Sequence, residues 1–334
     1  MNMEQWAADI IAAPRKKALP VLSFPAVQLM DITVADLIKN PEVQAEAMKT
    51  VADRVDSAAS VSFMDLSVEA DAFGSDIVVS PDEVPTVIGA VVGEDDDPEQ
   101  IVVPAVENGR TALNVEAIRL AAQSIDDRPV FAGVIGPFSL AGRLMDVNEI
   151  MLLCYEDPDL VHGVLAKATE FIGKYARAFK EAGADGIMMA EPLAGLLPPD
   201  LLAEFSTPYV RTIVDDVQDE DFMVVYHNCG NSVIKAADAV IDTGAAAFHF
   251  GNAIELADML ELMPADRMVM GNVDPAGEIR NGTPESVRAV TLALMEACSS
   301  YPNFVVSTGC DVPPMAPWEN IDAFFDAVDE FYDR

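Results

Sequence analysis

His227 and Cys229, two residues apart in "VVYHNCGN", form the most chemically pointed spacing in this 334-residue chain. The run before them is apolar and strand-like, and residues two apart on a strand face the same side, so an imidazole and a thiol are offered to one ligand. Gly230 then ends the strand. Cys310 closes a second such run, "VVSTGC", in the same manner. One imidazole and two thiolates make a soft nitrogen–sulfur set that suits zinc, and three protein ligands leave one coordination position for substrate. Taken singly, each residue reads as packing: the cysteines as small buried hydrophobes, the histidine as a satisfied core residue. Three of them together at strand ends favour a metal.

The other candidates divide by element. Cys154 in "IMLLCYEDP" and Cys298 in "LMEACSS" lie on helical patterns and read as packing, and His162, also helical, reads as a surface residue. His249 ends a strand in "FHFGN" and is open to a fourth-ligand or substrate role; Asn252 in the same stretch joins the substrate-binding candidates. Acidic residues end other strands: Asp65 and Glu69 in "FMDLSVEADAFG", Glu191 in "MMAEP" and Asp274 in "GNVDP". Carboxylates there could orient a ligating histidine, accept a proton or hold a polar substrate. Glu191 and Asp65 are the preferred catalytic pair, with Glu69 and Asp274 as substrate contacts. Arg143, read as lying in the turn after "GPFSLAG", is the candidate anchor for an anion, although a surface salt bridge would explain it as well.

These residues need elements that bring strand ends together. Short apolar runs alternate with longer helical patterns, the signature of a parallel sheet covered by helices. Strands are predicted at 20–24, 60–66, 129–135, 186–190, 222–227, 246–250, 268–271 and 304–307. Asp157-Pro158 opens a helix that runs through Leu165 and Phe171 to a Gly183 cap. Turns of the kind in "EAGADGIMMAEP" recur at "DTGAAAFHF" and "MPADRMVMGN". Eight strands with repeated helix–turn–strand units predict an α/β fold, an eight-fold β/α (TIM) barrel that carries its site at the C-terminal strand ends. The expected layout is a single barrel domain over 20–334, preceded by a helical extension over 1–19. Residues 76–103 break the alternation and predict a small β-rich insertion after the second strand, with the acidic run 94–97 as a solvated loop.

Composition narrows the partners. Asp and Glu number 56 against 20 Lys and Arg, a net charge of −36 that repels phosphate backbones and anionic lipid. Nucleic acid and membrane surfaces are therefore excluded as expected partners. The N-terminal order, apolar residues around Trp6 and Ile10 before the basic Arg15, Lys16 and Lys17, is the reverse of a secretory signal. A cytoplasmic location with reduced thiols is expected.

Taken in order, "DLSVEADAFG", "GPFSLAGRLM", "EPLAGLLPPDLLAEFSTPYV", "YHNCGN", "GNVDP" and "STGC" resemble the uroporphyrinogen decarboxylase superfamily, in its methylcobamide:coenzyme M methyltransferase-like branch. The resemblance runs from about Pro20 to the C-terminus, and its most specific part is the His-x-Cys followed 81 residues later (310 − 229) by Cys. It implies a barrel in which zinc on His227, Cys229 and Cys310 binds a small thiol. That thiol takes a methyl group from a methylated corrinoid carried by a partner protein, docked over loops around Glu69, Ser139 and Gly195. Coenzyme M, homocysteine and a tetrahydrofolate-type carrier all remain open as acceptor. One departure bears on the alternative, a decarboxylase-like lyase acting on a porphyrinogen. The decarboxylases resemble one another in an Arg-rich segment after strand one, whereas "FPAVQLMDIT" here has no arginine. Asp65 still matches the decarboxylase aspartate that faces the pyrrole nitrogens. A third reading is non-enzymatic, with a structural zinc or corrinoid binding without turnover.

Overall fold

The computed structural model describes all residues, Met1–Arg334. Nine strands form: β1 (Ser60–Val61), β2 (Asp76–Val78), β3 (Thr86–Ile88), β4 (Val130–Ile135), β5 (Gly186–Ala190), β6 (Met223–Asn228), β7 (Ala247–Phe250), β8 (Met268–Val273) and β9 (Phe304–Thr308). Seven of them make one curled parallel sheet in the order β1-β4-β5-β6-β7-β8-β9, and β2 and β3 pair antiparallel on their own.

The predicted first strand does not form a ladder. Residues 18–23 nevertheless fill the gap between the two sheet edges. Leu19 N donates to Val306 O on β9 at 3.0 Å, Ala58 N donates to Ala18 O at 2.8 Å, and Ser23 Oγ donates to Val61 O of β1 at 2.6 Å. Pro20 has no N–H and Val21 N bonds the Thr308 hydroxyl at 3.2 Å, so the donors that a regular strand would use are missing or diverted. The second strand is also shorter than its prediction of 60–66. Beyond Ser62 the chain turns, with Met64 N taken by the Asp311 carboxylate at 3.0 Å.

Helices cover the outside. Pro158–Glu181 shows why they form: Asp157 caps it through Leu160 N at 3.2 Å, Pro158 occupies the first turn, and Gly183 (φ +97°) follows the end. Its stripe of Leu160, Val164, Leu165, Phe171, Ile172, Tyr175 and Phe179 is wholly buried against the sheet. A second, smaller core fills the barrel interior. Alternate residues supply it, among them Met188, Met223, Val225, Ala247, Met268, Met270 and Val305, and Met3 of the N-terminal helix joins from below.

The insertion forms only the β2–β3 ribbon, and the "IVVP" stretch has no strand. It is tied down at three places: Val34 N donates to Pro81 O (2.7 Å), Val91 N and Val92 N to Leu144 O (2.8 and 2.9 Å), and Arg280 pairs with Glu83 (2.8 Å). No helix is long and apolar enough to cross a membrane.

Candidate metal centre

In β6, Met223, Val225 and His227 share one parity, and the first two lie in the barrel interior, so His227 enters its top layer. Register places His227 beside His249 of β7, and Ser307 reaches the same layer above Val305 on β9. Cys229 follows the end of β6 and Cys310 follows β9 by two residues. The ligand atoms of His227, Cys229 and Cys310 all lie within 4.8 Å of one another, and His227 Nε2 is buried with no hydrogen-bond partner. Bonds of about 2.0–2.3 Å at tetrahedral angles set ligand atoms roughly 3.5–3.8 Å apart, so the cluster closes on one ion with at most about 1 Å of inward movement. The donor set, with an orphaned imidazole nitrogen and two free thiols, fits zinc. The neighbouring Cys310 holds the Cys229 thiol down at about 7, while Cys229 and burial push Cys310 up to about 12.

Three residues outside the expected set brace this centre. Asn228 accepts from Gly230 N (2.9 Å) and donates to Glu191 O (3.0 Å), which links the loops after β5 and β6. Asn272 donates to Gly251 O (3.0 Å) and Ile254 O (2.9 Å) and holds the loop after β7. Asp311 binds Met64 N and fixes the Cys310 loop to the end of β1. Asn228 and Asp311 adjoin ligands, a signal the sequence contained; Asn272 carries none.

The remaining candidates separate. Asn252 is exposed at the rim, packed against Gly309 beside Cys310. His249 is fully buried, with Nδ1 2.7 Å from His227 Nδ1 and Nε2 2.8 Å from Ser307 Oγ, so neither nitrogen faces a ligand. Burial, then the neighbouring His227, hold its pKa well below the usual histidine value. Glu191 was expected at the mouth. It is fully buried and caps the helix Pro137–Met145, accepting from Phe138 N (2.9 Å), Ser139 N (2.9 Å) and Ser139 Oγ (2.7 Å). Burial pushes its carboxyl up to about 7 against those donors. Asp65 is ion-paired with Arg110, which also donates to Ser67 Oγ at 3.0 Å. Glu69 is buried beside them: Oε1 accepts from Ile135 N (2.9 Å), Oε2 has no partner, and burial pushes it up to about 7. Asp274 caps the turn after β8 through Ala276 N (2.9 Å) and Gly277 N (2.8 Å).

Arg143 lies in the last turn of the helix Pro137–Met145, not in a turn after it, and is half-buried; its Nε is buried without a partner. Cys154 and Cys298 are buried packing residues. His162 is half-buried rather than on the surface, stacked on Phe205 at 4.6 Å with Nδ1 2.7 Å from Tyr209 OH. Of the positions expected to meet a partner, Glu69, Ser139 and Gly195 are all buried; Leu29, Leu196 and Met315 are exposed apolar residues on segments that follow strand ends, and Val78, Val79, Ile88, Val91 and Val102 of the insertion are exposed as well.

A curled parallel β/α sheet with one histidine and two cysteines converging at the C-terminal ends of β6 and β9 defines a barrel-type scaffold with a candidate site for a soft metal. The chain belongs to the uroporphyrinogen decarboxylase (URO-D) family, whose pattern matches residues 20–331. The methylcobamide:CoM methyltransferase MtbA of Methanosarcina acetivorans is 27% identical over 314 residues, covering 91% of this chain and 90% of that protein. A uroporphyrinogen decarboxylase of Coxiella burnetii is also 27% identical, over 305 residues, covering 88% and 82%. Among solved structures, a methyltransferase from Methanosarcina mazei superposes with a TM-score of 0.86 at 26% identity over 99% of this chain and 98% of that one. A B12-independent methionine synthase from Shewanella shares the fold at a TM-score of 0.65 and 12% identity.

Proposed function

We propose that the protein is a methyltransferase that moves a methyl group from a methylated corrinoid, carried by a partner protein, to a small thiol such as coenzyme M. Zinc on His227, Cys229 and Cys310 would supply the Lewis acid that keeps the acceptor as thiolate at neutral pH. The observation that carries this reading is the convergence of those three side chains, with the buried His227 Nε2 left free of any protein partner.

Two features count against decarboxylation. Asp65, which would face a tetrapyrrole, is held by Arg110, and the helix Ala26–Met30 and its flanks offer no arginine to the substrate's carboxylates. Among the substrate candidates, Arg143 has no hydrogen bond or ion pair within the protein and is available for an anionic acceptor group such as a sulfonate. Asn252, at the rim beside Cys310, is available for a polar contact. The carboxylates of Glu69, Glu191, Asp65 and Asp274 already serve backbone amides or an arginine, so we assign them to holding the mouth in shape. The corrinoid partner would approach the rim that carries Leu29, Leu196 and Met315.

Metal analysis of protein purified without chelator, followed by a methylcobalamin assay against a panel of thiols, tests the proposal. The expected result is about one zinc per chain and thiol-dependent loss of the cobalt-bound methyl, followed by visible absorbance. A zinc-loaded protein that fails with coenzyme M, homocysteine and tetrahydrofolate, using both free methylcobalamin and methylated corrinoid proteins, would refute it.

A further inference from the structure

His249 has two ring nitrogens and both are spoken for. Its Nδ1 lies 2.7 Å from His227 Nδ1 and its Nε2 lies 2.8 Å from Ser307 Oγ. A hydrogen bond between two imidazole nitrogens needs a proton on one and a lone pair on the other. Because a hydroxyl both donates and accepts, the chain of three side chains admits two directions.

In one direction Ser307 donates to His249 Nε2, and His249 Nδ1–H donates to His227 Nδ1. His227 would then carry its proton on Nε2. That nitrogen is buried and makes no hydrogen bond, with only the weakly accepting sulfurs of Cys229 and Cys310 near it, so the N–H would be poorly satisfied, at a cost of about 1–3 kcal/mol. In the other direction His227 Nδ1–H donates to His249 Nδ1, and His249 Nε2–H donates to Ser307 Oγ. His227 Nε2 is then an unprotonated lone pair beside two sulfurs. Exposure of 3% for His227 and 0% for His249 and Ser307 keeps water from breaking the chain.

We propose that His249 is the positioning residue of the metal centre. It holds the His227 ring in place and fixes its proton on Nδ1, with Ser307 as terminal acceptor, so that Nε2 is presented to the ion. This deepens the zinc reading and rests on it. A ligating histidine usually leans on a carboxylate or a backbone carbonyl. Here the acceptor is a neutral imidazole. Two thiolates and an incoming third already outweigh the charge of a divalent ion, and a carboxylate behind His227 would add another negative charge to a buried site. The imidazole orients the ligand without adding one. Register supplies the arrangement, because His227 and His249 are paired neighbours on adjacent parallel strands.

The chain has three histidines, so nitrogen-15 labelling of histidine gives a spectrum with three rings to assign. In the wild-type protein, metal-free and zinc-loaded, His227 is expected as the Nδ1–H form and His249 as the Nε2–H form. The reverse assignment overturns the proposal. Zinc affinity, measured by competition with a chromophoric chelator, is expected to fall about 10- to 100-fold in His249→Leu. His249→Asn places a carbonyl oxygen near the position of Nδ1 and should recover most of that loss. Wild-type affinity in a folded Leu variant, or an Asn variant as weak as Leu, also overturns it. If the Leu variant does not fold, the wild-type protonation pattern and the Asn variant still decide. Wild-type protein that takes up no zinc refutes the metal reading separately, and the spectrum of the metal-free protein still decides the direction of the chain.

Discussion

Gly230→Ala is the substitution whose effect can be worked most directly from the geometry. A Cβ on Gly230 would lie 2.3 Å from the Gly195 carbonyl oxygen and 2.4 Å from its carbonyl carbon and Cα. All three are backbone atoms, so no side-chain rotation relieves the overlap. Ordinary contact begins at 3.4 Å, and the loops after β5 and β6 must therefore part by 3.4 − 2.3 = 1.1 Å. Gly230 follows Cys229 directly. Metal–ligand distances tolerate about 0.2 Å, so a sulfur carried along with even part of that shift loses its bond length. We expect zinc affinity to fall at least about tenfold, as when a supporting contact is lost, and stability to fall by about 1–3 kcal/mol from overpacking. Chelator competition and urea unfolding measure the two. Gly93→Ala is the control, because its Cβ would meet only Asp96 Oδ2 at 3.7 Å. A Gly230→Ala protein with wild-type zinc affinity and a stability loss below about 0.5 kcal/mol would refute the reasoning.

Cys310→Ala should abolish zinc uptake while circular dichroism shows the fold intact; full zinc content by atomic absorption would remove that ligand from the centre. Binding of the acceptor thiol should release about one proton, read by calorimetry in buffers of different ionisation enthalpy; proton uptake would contradict it. Arg110→Ala leaves the buried Asp65 carboxylate unpaired and should cost about 3 kcal/mol in urea unfolding. Glu69 is raised from its ordinary 4.5 to about 7 by burial. The folded state therefore keeps this proton where the unfolded chain loses it. Its contribution is fully present below pH 4.5 and lost as pH rises to about 7, by about 3 kcal/mol. Glu69→Gln should lack that slope in a urea series from pH 4 to pH 8.5.

Much of the architecture was legible because the period-two runs are long and bounded by turns. β5 forms at the predicted residues 186–190, and β4, β6, β7, β8 and β9 differ from prediction only at their ends. The first two strands misled because apolar content does not reveal where amide donors go: Pro20 has none, Val21 bonds a hydroxyl, and Met64 bonds a carboxylate. Within the site, His227 and Cys229 were readable from spacing, and Cys310 from its strand end. The carboxylates were not. Glu191 and Asp274 sit at strand ends as expected, yet a helix N-terminus and a turn absorb their oxygens, and those partners lie on segments that spacing cannot place. His249 stood out by its strand-end position, while its partner on the neighbouring strand appears only with the register.

The filling of the barrel has a mechanical consequence. Six of the 15 residues in the interior cluster are methionines, namely Met3, Met64, Met188, Met223, Met268 and Met270, against six of 82 in the layer between sheet and helices. Valine, isoleucine and phenylalanine give that outer layer few ways to rearrange. Unbranched thioethers have three free torsions and refit a changed volume without leaving a gap. His227, His249 and Ser307 thus rest on a compliant cushion inside a stiff hoop. A change of volume beneath the imidazoles can thus be refitted by side-chain torsions without a shift of the strands around it.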